Sequence, residues 1–199
     1  MTTEYLLNKE MQHVLAALTP SNQLVMRVCL HTGLRVGDVL ALKVGQIGRR
    51  FWLSERKTGK RRMVGLSDRL IDALKSSASG SVWCFPHRLD NRRHRTRQSV
   101  WADVKRAAKA FRLPQNVAPH SARKVYAVDL MAKYGDIAKV KKALNHKYDS
   151  TTVLYAMADR LLEARLRNRM RRAVKGRDCG GGDSRLTEGN TTANPLTGL

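Results

Sequence analysis

His120 and Arg123 stand three residues apart just after Pro119, His146 follows them, and Tyr155 lies nine positions beyond His146. On a helix, side chains three apart point the same way. Pro119 suits the first turn of such a helix, and Val125, Val128 and Leu130 supply an apolar side to bury. The spacing therefore predicts a helix start that presents an imidazole and a guanidinium outward, at the end where the helix dipole favours an anion. A phosphate fits that description: arginine forks onto it in a plane, and histidine exchanges a proton near neutral pH. Singly, the same residues also fit an ordinary surface helix and a tyrosine that merely packs.

The bulk numbers narrow the choice. A chain of 199 residues, 42% of them hydrophobic, is long enough for one substantial core. Its formal net charge of +22 calls for a polyanion. Nucleic acid is favoured over a membrane face, because no long apolar run or lipid-binding segment is visible. Cys29, Cys84 and Cys179 are odd in number and lack paired spacing, which fits a reducing compartment and argues against a disulfide framework or zinc module. The first residues show no secretory pattern, so the expected location is the cytoplasm, bacterial or phage-infected, or another DNA-containing compartment.

The elements that must position these residues can be read in order. Residues 8–18 predict a helix, capped by Asn8, with Met11, Val14, Leu15 and Leu18 as its stripe. Thr19-Pro20 breaks it, Ser21 is the expected cap of a second helix, and Gly33 is placed to end that one. A short helix within LRVGDVLALKVGQI would bury Val36, Val39, Leu40 and Leu42 and carry Arg35 and Asp38. Arg35 in such surroundings is either committed to an anion or paired with Asp38. Alternating runs at 50–54 and 61–66 around ERKTGK predict a hairpin with Lys57 and Lys60 near its turn. Ser67-Asp68 then starts a helix to about Ala78. A basic loop over 88–97 precedes a helix expected to turn Val100, Trp101, Val104, Ala108 and Phe111 inward. After the helix at 120–133, Gly135 breaks the chain, and DIAKVKKAL makes another. Tyr155 falls on a short helix. Residues 159–175 read as a final amphipathic helix, suited to its own core or to a neighbouring molecule. Residues 176–199 have the composition of a flexible tail.

In this order the pieces resemble the catalytic domain of tyrosine recombinases, the phage-integrase family. Thr32-Gly33-Leu34-Arg35, with Asp38 beyond, is similar to its first arginine box. Lys57-Thr58-Gly59-Lys60 matches the lysine between two strands of its small sheet. His120-Ser121-Ala122-Arg123 matches the His-x-x-Arg box, Leu144-Asn145-His146 its Leu-Gly-His element, and Thr151 to Tyr155 its nucleophile segment. Asn145 stands where glycine is usual, and Lys124 where a second histidine is frequent.

The resemblance implies a mainly α fold with a small antiparallel β-sheet (α+β). It implies metal- and nucleotide-independent cleavage and rejoining of double-stranded DNA through a 3′-phosphotyrosyl link, in site-specific recombination by a homodimer or homotetramer. Tyr155 would be the nucleophile, Arg35 and Arg123 would clamp the phosphate, and Lys57 would protonate the leaving oxygen. His120 would exchange a proton near the nucleophile, His146 would hydrogen-bond the phosphate, and Asp38 would orient Arg35. Lys60, Arg61, Arg88, Arg92, Arg93, Arg95, Arg97 and Lys124 are the expected DNA contacts; no cofactor or metal is expected. DNA relaxation of the topoisomerase IB kind, or a binding module without turnover, would use the same fold. The expected organisation is a catalytic domain over 1–175, its last helix either packed on its own core or exchanged between copies, then the tail. Residues 1–19 are too few for the DNA-clamping domain that family members usually carry first.

Overall fold

The computed structural model describes Leu6 and residues 8–145. The chain divides into two units, 1–160 and 161–199, and the description below concerns the first. His146, Tyr155, the expected helix at 159–175 and the tail lie outside the described residues.

Seven α-helices and one hairpin are laid down in chain order among the described residues: α1 Asn8–Ala16, α2 Pro20–Thr32, α3 Val36–Leu40, β1 Arg50–Ser54, β2 Arg61–Gly65, α4 Asp68–Ala78, α5 Arg97–Ala110, α6 Pro119–Tyr134 and α7 Ile137–Leu144. The fold is therefore mainly α with one small antiparallel sheet, in which Phe51 pairs with Val64 and Leu53 with Arg62.

The predicted stripe of α1 is buried at Met11, Val14, Leu15 and Leu18. It joins Val25, Met26, Val28 and Cys29 of α2, Leu74 of α4, and Val100 and Val104 of α5 in one core. Helix α3 has only five residues and could not hold its shape alone. Burial of Val39 and Leu40 fixes it, each worth roughly 1.5–3 kcal/mol.

Several local expectations are corrected. Helix α1 begins at Asn8 itself. Helix α2 is preceded by Thr19, with Pro20 in its first turn, so Ser21 is already helical. Thr19 does not cap it; its N–H and hydroxyl both donate to Asp103 Oδ2, each at 2.9 Å. Asn22 Nδ2 donates to the same oxygen at 2.8 Å, and Arg106 Nη2 to Oδ1 at 2.6 Å. Burial pushes this carboxyl up, but those hydrogen bonds outweigh it and bring Asp103 down to about 2. The knot fastens α5 to the start of α2. On α5, Trp101 and Phe111 point outward, not inward, at 50% and 43% exposure. The buried face is instead Val100, Asp103, Val104, Ala107 and Ala108, which leaves position 101 one residue off the stripe. Phe111 stacks on His13 with ring centroids 5.4 Å apart. Among the described residues, no helix is long and apolar enough to cross a membrane.

Candidate active site

The site is assembled where four separate chain segments end. Helix α2 stops at Gly33, which takes the left-handed conformation (φ 65°) that a glycine adopts without strain. The chain then turns into α3, with Arg35 at its N-terminal boundary rather than inside it. The six residues after β1 close as a tight turn: Glu55 N–H donates to Lys60 O, and Gly59 N–H donates to Glu55 O. That turn projects Lys57 into solvent. Helix α6 begins at Pro119 and brings His120 and Arg123 on its first turns.

These four pieces line one cleft of about 780 Å³ that includes Arg35, Lys57, His120 and Arg123, together with Arg56, His94 and Arg97. Four of the six predicted catalytic residues therefore converge. The other two, His146 and Tyr155, are outside the described residues.

The orientation of Arg123 is a correction. His120 is exposed as expected, but Arg123 is buried at 1% exposure. Its Nη1 donates to the Gly33 carbonyl and its Nη2 to the Leu144 carbonyl, both at 2.5 Å. The guanidinium thus forms the floor of the cleft and ties the ends of α2 and α7 together. Polar backbone atoms left over at helix ends need such partners. A neighbouring carbonyl of the same turn, Thr32 O, receives Arg62 Nη2 at 2.7 Å.

His120 sits at the rim. Protein packed beside its ring, followed by the charges of Arg123, Lys124, Arg35 and Lys57, pushes its pKa down to about 4. At neutral pH the imidazole is therefore uncharged and able to accept a proton.

The carboxylate on Arg35 is Glu55, not Asp38. Arg35 Nη1 donates to Glu55 Oε2 at 2.5 Å. Asp38 is buried at the start of α3, and its Oδ1 accepts the backbone N–H of Arg56 at 3.0 Å. It steadies the turn that carries Lys57 and does not touch the Arg35 guanidinium.

The Phage integrase family matches this chain over residues 4–161. The chain belongs to the phage integrase family. The integrase of Escherichia phage P2 is 30% identical over 155 residues, covering 77% of this chain and 43% of that protein. Tyrosine recombinase XerD of Brucella suis is 35% identical over 147 residues, covering 68% of this chain and 46% of that protein. The chain spans less than half the length of both. A solved lambda integrase dimer bound to a COC' core site shares the fold with a TM-score of 0.65 at 22% identity, over 76% of this chain and 58% of that one. The fold is thus that of tyrosine recombinase catalytic domains.

Within this phage integrase family domain, the unusual Asn145 takes a left-handed turn (φ 52°) at the end of α7. Asparagine is among the side chains that tolerate that conformation, so the backbone turns there as a glycine would allow. The expected DNA-contacting residues separate into two groups. Lys60, Arg61, Arg88, Arg92, Arg93 and Arg97 are exposed, and Lys124 is half-buried. Arg95 turns inward, its Nη1 donating to Asn22 Oδ1 at 3.3 Å. Burial holds its pKa below the usual arginine range. It fastens the basic loop to the Asp103 knot, which corrects its expected role as a free phosphate-gripping arm.

The sequence reading passed over Glu55, Arg56 and His94. Only Glu55 left a signal: it continues the alternation of buried Phe51 and Leu53 along β1, which puts a carboxylate on the inner face, where it requires a cation. His94 gave none; its Nδ1 lies 2.8 Å from Arg95 O and its Nε2 3.3 Å from Arg56 Nη1. The carbonyl takes a proton from Nδ1, so Nε2 accepts from Arg56.

Proposed function

We propose that the domain cleaves and rejoins double-stranded DNA as a site-specific recombinase, without metal or nucleotide, through a 3′-phosphotyrosyl intermediate. The convergence of Arg35, Lys57, His120 and Arg123 on one cleft carries this reading. In the reaction, the Tyr155 phenol oxygen attacks the phosphorus and a phosphotyrosyl bond forms as the bond to the 5′-oxygen breaks. The phenol proton passes to the neutral imidazole of His120. The departing oxygen takes a proton from Lys57, whose place on an exposed turn lets it follow the leaving group. Arg35 and Arg123 face the non-bridging oxygens and stabilise the charge that gathers there. His146 adds a hydrogen bond to the phosphate. Because one phosphoester replaces another, the link stores the energy needed to rejoin the strand.

Tyr155→Phe tests the reading on a nicked DNA duplex whose cleavage product cannot religate. The wild type is expected to accumulate a covalent adduct visible on a denaturing gel; the variant should bind the duplex equally well and form none. Binding without any wild-type adduct would establish a DNA-binding module instead. The proposed working form is a homodimer or homotetramer on DNA, with residues 159–175 docking between copies. Deleting residues 159–199 would then prevent assembly.

The basic loop yields a separate expectation. Holding about six to ten phosphates predicts a fall in affinity of about 10³–10⁵-fold between roughly 50 and 200 mM salt. Arg92→Ala and Arg93→Ala should each reduce the salt slope by about 1 and leave the melting temperature unchanged. Arg95→Ala should do the reverse, leaving the slope intact and lowering stability by about 1 kcal/mol for its lost hydrogen bond. Fluorescence anisotropy over a salt series, with thermal melts of the same proteins, checks both halves.

A further inference from the structure

Glu55 is the least expected residue behind the cleft wall: a carboxylate with a side chain at 0% exposure, bonded to Arg35 of the lining. One of its contacts runs to a residue the reaction uses, and the others fix the carboxylate that makes it. Oε2 accepts from Arg35 Nη1 at 2.5 Å and from the Thr58 hydroxyl at 2.9 Å. Arg62 Nη1 stands 3.9 Å from Oε1. Its backbone closes the turn on which Lys57 sits. Among the described residues, Glu55 is the polar partner of the Arg35 guanidinium, which keeps its remaining nitrogens available and lines the cleft. Asp38, three residues from Arg35, is occupied with the Arg56 N–H instead.

We propose that Glu55 is a positioning residue for the cleft, setting the Arg35 guanidinium against the scissile phosphate. The assignment rests on the strand-cleavage reading above. A guanidinium on a flexible stem must otherwise give up its rotamer freedom when the phosphate arrives. Glu55 fixes one edge in advance and leaves the other for the anion. The carboxylate stays charged in this role: burial pushes its pKa up, but the hydrogen bonds from Arg35 and Thr58 and the charges of Arg35 and Arg123 outweigh that and hold it below the usual range.

A residue that merely supported the fold would weaken DNA binding and cleavage together when altered. A positioning residue with a negative charge should move them apart. Glu55→Gln keeps the shape and removes the charge. Its adduct formation on nicked duplex is expected to fall about 10–100-fold, below the loss for a whole missing donor, while affinity for the same duplex is unchanged or tighter. Glu55→Asp, which keeps the charge, should recover part of the rate. In an Arg35→Ala background, Glu55→Gln should cost nothing further, because the group it orients is gone. Independent losses in the double variant, or a wild-type rate in Glu55→Gln, would overturn the assignment. Should Glu55→Gln fold poorly, Thr58→Val removes the hydroxyl's hydrogen bond to the same oxygen, and a long one from the Lys60 N–H, at an exposed position; it should slow cleavage several-fold at unchanged affinity, and a wild-type rate there counts against the proposal. A second readout needs no turnover: Arg35 should react several-fold faster with an arginine-directed dicarbonyl in Glu55→Gln, by peptide mapping. A wild type that forms no adduct would sink the cleavage reading alone, and unchanged Arg35 reactivity would sink the positioning role alone.

Discussion

Arg123→Ala is expected to lower the rate of covalent adduct formation by about 10²–10³-fold, the usual cost of one preorganised donor at a developing charge. The same substitution should also destabilise the fold, since the side chain is buried and bridges Gly33 O and Leu144 O. Each carbonyl left without a donor costs about 1–3 kcal/mol, less where water enters the vacated space. Arg123→Lys separates the two effects. An ammonium keeps the charge but cannot span both carbonyls in the fixed plane of a guanidinium. It should restore part of the stability and little of the rate. Single-turnover assays well below the melting transition, beside denaturant unfolding curves, measure both. A rate in Arg123→Ala within a few-fold of wild type would remove this residue from the chemistry.

The second large effect belongs to Gly33→Ala. Gly33 and Gly135 end α2 and α6 in nearly the same left-handed conformation, with φ of 65° and 62°. A Cβ at Gly135 would meet nothing within 4 Å, whereas at Gly33 it would lie 2.2 Å from a carbon of the Tyr126 ring. Gly135→Ala should therefore cost only the backbone term, about 1 kcal/mol. Gly33→Ala adds the displacement of a packed ring, for a total of about 2–5 kcal/mol. At this chain length each kcal/mol shifts the melting temperature by about 2–4 °C, so calorimetry should separate the pair clearly. Because Gly33 also supplies a carbonyl to Arg123, Gly33→Ala should slow cleavage even where it remains folded. Equal melting shifts for the two alanines would show that the Tyr126 ring yields freely.

Much of this arrangement is legible in the sequence. The stripe of α1, the stop at Gly33, the hairpin around Lys57 and the helix opening at Pro119 all follow from local rules, because period, caps and turn residues act over a few positions. The inward turn of Arg123 did not follow: that depends on carbonyls 90 and 21 residues away in sequence. Trp101 was expected inside because it is large and apolar, yet one residue off the stripe is enough to face solvent. Arg95 looked like its neighbours in a charged run, and its distinct role depends on Asn22, 73 residues earlier. Spacing along a helix points to Asp38 as the partner of Arg35, while the strand alternation through Phe51, Leu53 and Glu55 points to the one it has.

The way Arg123 is anchored has a consequence for ions in solution. Carbonyl oxygens are neutral dipoles, so the bonds to Gly33 and Leu144 fix the Arg123 guanidinium without themselves removing its charge, while Arg35 is bonded to the Glu55 carboxylate. With Arg35, Arg56, Lys57, Arg97 and Arg123 in its lining against the carboxylate of Asp38, the cleft attracts small oxyanions even before a nucleic acid arrives. Sulfate or inorganic phosphate should compete with the duplex more strongly than chloride at equal ionic strength, and the choice of buffer anion will enter every affinity measured on this protein.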